Sequence, residues 1–293
     1  MFEKVLVALD FSQSSQKILD HIGEIPGIQE VVLLHIVDAT RPSRLEWTHG
    51  PHIENVKILM AEKKEALEHL GLKVNIKEDV IVNAITQGTI SLAILETAEI
   101  KNVSLIIVGA RGINPIQELL LGSVSSSVLR HAKTNVLVMH VSPELADADL
   151  SPGPSHRQLF SKVLVPTDFS KSAGDALSLV KTIPGIKEIV LLHVVNHVDS
   201  QPEIEVCVKE AESRLEEIKK EFIGRDVVVI PHIRVGDPTE MILSVAKEED
   251  VSLIVMSAYG TDWLRKMLLG STTFTVVRRA KRPVLVIRTG QEI

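Results

Sequence analysis

The sequence predicts an α/β protein built from two copies of one small domain. Each copy is a doubly wound, five-stranded parallel sheet with helices on both faces. Two observations carry this. The first is an internal repeat: Phe2–Val37 aligns with Phe160–Val195 without a gap, identical at about 20 of 36 positions and offset by 158. Further on, VSLIIVGARG…LLGS…VLV aligns with VSLIVMSAYG…LLGS…VLV at an offset of 148, so the second copy lacks ten residues ahead of the Gly88/Gly236 turn. The second observation is the alternation of hydrophobic period within each copy. Short apolar runs alternate with stretches of helical spacing, which implies right-handed crossovers and a parallel sheet covered on both sides.

Taken in order, KVLVAL is the first strand and Asp10 bounds it. DFSQSS then supplies N-cap chemistry for a helix. In the second copy that helix carries Ala173, Ala176, Leu177 and Val180 on one face, and IPG closes it in both copies (Pro26, Gly27; Pro184, Gly185). EVVLLHIV is a continuous apolar strand of the kind buried on both faces. A long helix follows, with Val208, Ala211, Leu215, Ile218 and Phe222 at three- and four-residue spacing in copy two. A third strand is expected around Val74–Val82 and Val227–Ile233, then a turn at Gly88 or Gly236 and another helix. The fourth strand (Val103–Val108), a glycine loop, a helix with Val124, Val128 and Ala132 on its apolar side, and a last strand (NVLVMHV; RPVLVIR) complete the unit. The predicted domains are residues 1–141 and 160–293, joined by an acidic, then Pro/Gly/Ser-rich linker over 142–159.

Composition narrows the class. The 293-residue chain has a formal net charge of −6 and no dense Lys/Arg run, which argues against a dedicated nucleic-acid or membrane-surface binder. No apolar run approaches the ~18 residues of a membrane span. MFEKVLVALD lacks the basic patch and longer apolar region of a signal peptide. Cys207 is the single cysteine, so no intrachain disulfide forms. A reducing compartment is expected, and with it a cytoplasmic location.

The stretch that carries chemistry is GARGINPIQELLLGS, which spells G-x2-G-x9-G-S through Gly109, Gly112, Gly122 and Ser123. Glycine permits φ > 0 and lets another group come close to the backbone. A helix starting at Gly122–Ser123 presents free N–H groups and the positive end of its dipole, which suits phosphate. Ser125, Ser126 and Ser127 add hydroxyls just beyond. On the residues alone, phosphate binding and a simple strand-to-helix joint both fit. The pattern is neither a Walker loop nor G-x-G-x-x-G. In doubly wound sheets, ligands bind beyond the carboxyl ends of the strands at the switch point, so Asp10 and the glycine loop should face one crevice.

Together, VLVALDFS/VLVPTDFS, VVLLHIV/IVLLHVV and the glycine pattern resemble the universal stress protein family, in its ATP-binding branch and in tandem. The resemblance covers residues 1–141 and 160–289. It implies an adenine nucleotide alpha hydrolase-like sheet and an ATP or AMP site at the strand ends, with any Mg2+ carried by the phosphates and no protein metal ligand. Asp10 would bond the ribose or the adenine edge. Ala8 stands where the family often has proline, as Pro166 does in copy two. Ile36 would line the adenine pocket, and Gly109 and Gly112 would let the nucleotide lie along the loop. Gly122, Ser123, Val124 and Ser125 would bind phosphates, and Arg111 could reach them. Copy two retains Pro166, Asp168, Val194, Gly260, Gly270, Ser271, Thr272 and Thr273, but Ser257 replaces the first glycine. A serine there costs energy if the backbone must take positive φ.

Other residues have plainer readings. His35 and His193 read as core or near-core histidines. His49 and His52 lie in a loop with no cysteine or further histidine near, a poor metal site. Trp47 reads as a partner contact or a lid, Tyr259 and Trp263 as packing or base-stacking groups, and Cys207 as packing. Arg130, His131 and Lys133 suit the dipole at a helix C-terminus. Asp10 is the one acidic residue placed in the crevice, and neither an SGGxDS nor a HIGH/KMSKS signature is present. The expectation is therefore a nucleotide-binding sensor in a stress response, with slow ATP hydrolysis at most. A slow ATPase or phosphotransferase, and a scaffold without nucleotide, are the alternatives. The resemblance further implies edge-to-edge pairing of the last strands, giving an intrachain pseudo-dimer, with a homo-oligomer and a downstream protein partner expected. No nucleic-acid or membrane partner is expected.

Overall fold

The structure, a computed structural model, describes residues 2–10, 18–38, 51–82, 89–110, 121–140, 158–196, 200–260 and 269–288. Most of the expected linker, together with Trp47, His49, Arg111, Gly112 and Trp263, lies outside them. The chain divides into two compact units, Met1–Met139 and His140–Ile293.

The first unit runs β1 (Lys4–Leu9), a 3-10 turn (Ile22–Glu24), β2 (Glu30–Asp38), α1 (Pro51–Glu68), β3 (Lys73–Val82), α2 (Ile90–Ile100), β4 (Leu105–Gly109), α3 (Ser123–His131) and β5 (Asn135–Met139). The second runs β6 (Lys162–Pro166), α4 (Lys171–Val180), β7 (Glu188–Val195), α5 (Gln201–Lys220), β8 (Val228–Val235), α6 (Pro238–Glu248), β9 (Leu253–Ser257), α7 (Ser271–Arg279) and β10 (Val284–Ile287). Strand order is β3-β2-β1-β4-β5 in the first unit and β8-β7-β6-β9-β10 in the second, with parallel pairing throughout. Each unit is an α/β sheet with helices on both faces, as the alternating periods predict. The chain winds outward from β1 to β3 and returns to β4. The switch point therefore lies between β1 and β4, and between β6 and β9 in the second unit.

Local chemistry explains the elements. Val5, Leu6 and Val7 are fully buried, as are Val163 and Leu164, because helices cover both faces of these central strands. Ser170 caps α4 by accepting from the Ala173 amide, and Asp237 caps α6 by accepting from Glu240. Gly27 and Gly185 hold φ of 82° and 85° in the IPG turns, a region where a Cβ is penalised. Helix α4 buries the predicted stripe Ala173, Ala176, Leu177 and Val180. Helix α5 buries Ala211 and Leu215, and Phe222 just beyond its end, while Val208 and Ile218 are half-buried.

Helix α3 departs from its expected face. Val124 is half-buried and Ser125 turns inward instead, beside Val128 and Leu129. The reason is a hydrogen bond described below. At the other end of the sheets, Lys4 pairs with Glu30 at 3.0 Å. Lys162 bridges Glu249 at 3.0 Å and Glu188 at 3.3 Å, and His232 reaches Glu249 at 3.1 Å. The lysine pairs tie neighbouring strands and the end of α6 together where the strands begin, away from the switch point, and His232 adds the middle of β8.

Candidate functional site

In the first unit, β1 ends at Leu9 and delivers Asp10, half-buried, past the carboxyl end of the sheet. Ala8 precedes it on the strand. The His35 Nδ1–H donates to the Leu9 carbonyl at 2.9 Å, so this near-core histidine fastens the end of β2 to the end of β1. The register between β2 and β3 shifts at Leu34/Ile36, an irregularity that re-aims the strand at its end, where half-buried Ile36 stands. On the far side of the switch point, Gly109 ends β4 and pairs with Met139. The Ala110 amide donates to Met139 at 2.8 Å, and the Gly122 amide donates back to Ala110 at 2.8 Å. A backbone clasp thus sets the start of α3 against the end of β4.

Ser125 completes the clasp. Its hydroxyl donates to the Gly109 carbonyl at 2.6 Å, and the residue is 7% exposed. That explains why α3 turns Ser125 inward rather than Val124. The hydroxyl proton is committed to the strand end, so its part is to hold the loop's two ends together. Gly122 caps the helix at φ −58° and ψ 152°, and no side chain caps the first turn. The amides of Ser123, Val124 and Ser125 have no acceptor within the helix. A Cβ on Gly122 would lie 3.5 Å from the Ala110 oxygen, an ordinary contact. Neither backbone angle nor packing among the described residues calls for glycine there.

The second unit repeats this geometry. Ala258 donates to Ile287 at 2.9 Å, Gly270 to Ala258 at 2.8 Å, and Thr273 Oγ1 to the Ser257 carbonyl at 3.0 Å. His193 Nδ1 donates to Thr167 at 2.9 Å. Gly270 caps α7 at φ −58°, again without a side-chain cap, ahead of exposed Ser271, half-buried Thr272 and buried Thr273. Pro166 ends β6, Asp168 stands exposed beyond it, and Val194 is half-buried near the end of β7.

Two features of this copy bear on the site. Ser257 lies in β9 and is not among the residues of positive φ, so the serine carries no left-handed strain. Its hydroxyl donates to the Tyr259 carbonyl at 2.7 Å, and Ser172 Oγ donates to the same carbonyl at 2.9 Å. The loop is thus pinned to the start of α4 and to the end of β9. Gly260 is packed more closely: a Cβ there would sit 3.0 Å from Asp168 Oδ2, a tight contact that the carboxylate would have to yield to. Asp168 Oδ1 accepts from the Ser170 amide at 3.0 Å. Tyr259 packs as well as polar-bonds, its hydroxyl accepting from Arg288 Nη1 at 3.1 Å. Burial pushes the Arg288 guanidinium down from its ordinary value, against the favourable influence of Tyr259.

The clasp, the uncapped helix and the strand-end aspartate thus occur twice, at matching positions of two like sheets. The sequence profile of the Universal stress protein family matches residues 1–140 and 159–288. The chain belongs to the universal stress protein family. Universal stress protein MJ0577 of Methanocaldococcus jannaschii is 34% identical over 155 residues, covering 44% of this chain and 96% of its own. A universal stress protein of Mycolicibacterium smegmatis is 24% identical over 303 residues, covering 97% and 96%. The crystal structure of a universal stress protein from Archaeoglobus fulgidus matches 99% of this chain and 97% of its own at 25% identity, with a TM-score of 0.67.

In this universal stress protein, the repeat places Ala8, Asp10, Ile36, Gly109 and Gly122–Ser125 at the carboxyl ends of one sheet. Pro166, Asp168, Val194, Ser257, Gly260 and Gly270–Thr273 stand at those of the other. The sequence reading missed Ser172, whose signal was its place in the repeated DFS-x-S segment. Arg130 and His131 end α3, where His131 Nδ1 donates to Ser127 at 2.8 Å, and Lys133 pairs with Glu99 at 2.9 Å. Cys207 is half-buried on α5. Among the described residues, no group of three His, Cys, Asp or Glu side chains could hold a metal, and no helix is long and apolar enough to cross a membrane.

Proposed function

We propose that this universal stress protein is a regulatory module that binds an adenine nucleotide, ATP or AMP, at the switch point of its first unit. The observation that carries the reading is Gly122: a glycine at an uncapped helix N-terminus that neither φ nor, among the described residues, a neighbouring atom requires. Close approach of a ligand group is what such a glycine permits. The amides of Ser123, Val124 and Ser125 would receive phosphate, with Ser125 also bracing the loop through Gly109. Asp10 would take the sugar or base edge, with Ala8 and Ile36 beside the base. The second unit has the same parts in Pro166, Asp168, Val194, Gly260, Gly270, Ser271, Thr272 and Thr273, and Ser257 leaves its backbone unstrained.

The role read here is recognition rather than turnover. The nucleotide would supply charge and bulk that change the protein's surface toward a partner, and Mg2+ would travel on its phosphates. Titration of ATP and of AMP by calorimetry tests the reading. Saturable binding whose first-unit share is lost in Gly122→Val, with the fold retained by circular dichroism, is the expected result. Absence of binding heat for both nucleotides in the wild-type protein would overturn it.

A further inference from the structure

Phe169, in the second unit, holds φ of 59°, a left-handed backbone that is uncommon for an aromatic residue. It lies between Asp168 and Ser170, so this turn brings the Ser170 amide onto the Asp168 carboxylate. Several contacts hold it. The Phe169 amide donates to Thr167 Oγ1 at 3.0 Å. Its ring stacks on the His193 imidazole, with centroids 4.4 Å apart and planes inclined by 28°. The Arg214 guanidinium, from α5, lies over the ring 4.0 Å from its centre. His193 is itself fixed to Thr167. Phe169 is thus held by both the imidazole and the guanidinium, and the strained turn persists because its surroundings over-determine it.

The result is a directed carboxylate. Asp168 Oδ1 accepts from Ser170, and Oδ2 faces Gly260, where a Cβ would come within 3.0 Å of it. We infer that Phe169 and Arg214 are positioning residues for ligand recognition by the second unit: the clamp holds the left-handed turn that aims Asp168 at Gly260 and the crevice. This rests on the nucleotide reading of the second unit. It adds that α5, through Arg214, is coupled to that site.

The test uses the full chain carrying Gly122→Val, which silences the first unit's site. Two measurements are made, one without ligand. Amide hydrogen exchange at Phe169 and Ser170 is expected to quicken about three- to fivefold in Arg214→Gln, and further in Phe169→Leu, as the clamp is weakened. Unchanged exchange in both variants would overturn the positioning role whatever binds.

The second measurement is ATP affinity by calorimetry in a double-mutant cycle. Arg214→Gln is expected to weaken binding about three- to fivefold when Asp168 is present and to have no effect in Asp168→Asn. Equal losses in both backgrounds would show that Arg214 acts otherwise, and would overturn the inference. Quickened exchange with no ATP bound by the Gly122→Val protein would instead sink the nucleotide reading of this unit, and the recognition role with it.

Discussion

The hydroxyl of Ser125 donates to the carbonyl of Gly109 across 2.6 Å, and Thr273 repeats the bond to Ser257 at 3.0 Å. One hydroxyl in each unit thereby ties the first turn of a helix to the end of the strand before it. Between the tied ends runs the loop of the family pattern. In Ser125→Ala the fold should lose about 1 kcal/mol, because the Gly109 carbonyl forfeits a buried partner. Urea denaturation measures it, and Ser125→Thr should recover most of the loss.

Glycines that look alike in the sequence have different tasks. Gly122→Ala should leave stability within about 1 kcal/mol, since among the described residues its Cβ meets only ordinary contact. It should weaken nucleotide binding by tenfold or more. Gly260→Ala places a Cβ 3.0 Å from Asp168 Oδ2, so it should displace that carboxylate and weaken binding in the second unit alone. Calorimetry and thermal melts on the two variants separate the effects.

Part of the acid sensitivity should trace to Glu249. The Lys162 ammonium bonded to it holds its carboxyl below the ordinary glutamate value. The unfolded chain therefore takes up this proton at higher pH than the folded one. The contribution is full above the unfolded value, about 4.3, and is lost as pH falls through the folded value. Melting temperature between pH 3 and about pH 6 should fall less steeply on acidification in Glu249→Gln than in the wild type.

His21 should act with the opposite sign. Its bond to Glu24, at 2.9 Å, raises it above the ordinary histidine value. Its contribution is therefore full below about pH 6.5 and is lost as pH rises through the folded value. Melting temperatures across this range in wild type and His21→Gln should converge at alkaline pH.

The fold was legible because it is written twice and in two periods. The aligned strands, the IPG turns at Gly27 and Gly185, and the helix beginning at Ser123 all follow from local residue chemistry. The inward turn of Ser125 was not legible, because its bond to Gly109 outweighs the apolar pattern that favours Val124. Nor was the freedom from strain at Ser257, which depends on strand pairing rather than residue type. Phe169 and Arg214 meet from elements distant in the chain, and no periodicity announces such a contact. His35 and His193 read correctly as near-core residues. That each bonds the end of the first strand of its unit becomes visible only once β1 and β2, or β6 and β7, lie side by side.

The central claim is that the first unit holds an adenine nucleotide against Gly122. The most direct measurement is to denature the purified protein and identify released nucleotide by mass spectrometry, with its ratio to chain. The account predicts ATP or AMP at about one per chain or more, the first unit's share lost in Gly122→Val and kept in Gly270→Val. No released nucleotide, with no uptake when ATP or AMP is added in excess, would contradict it.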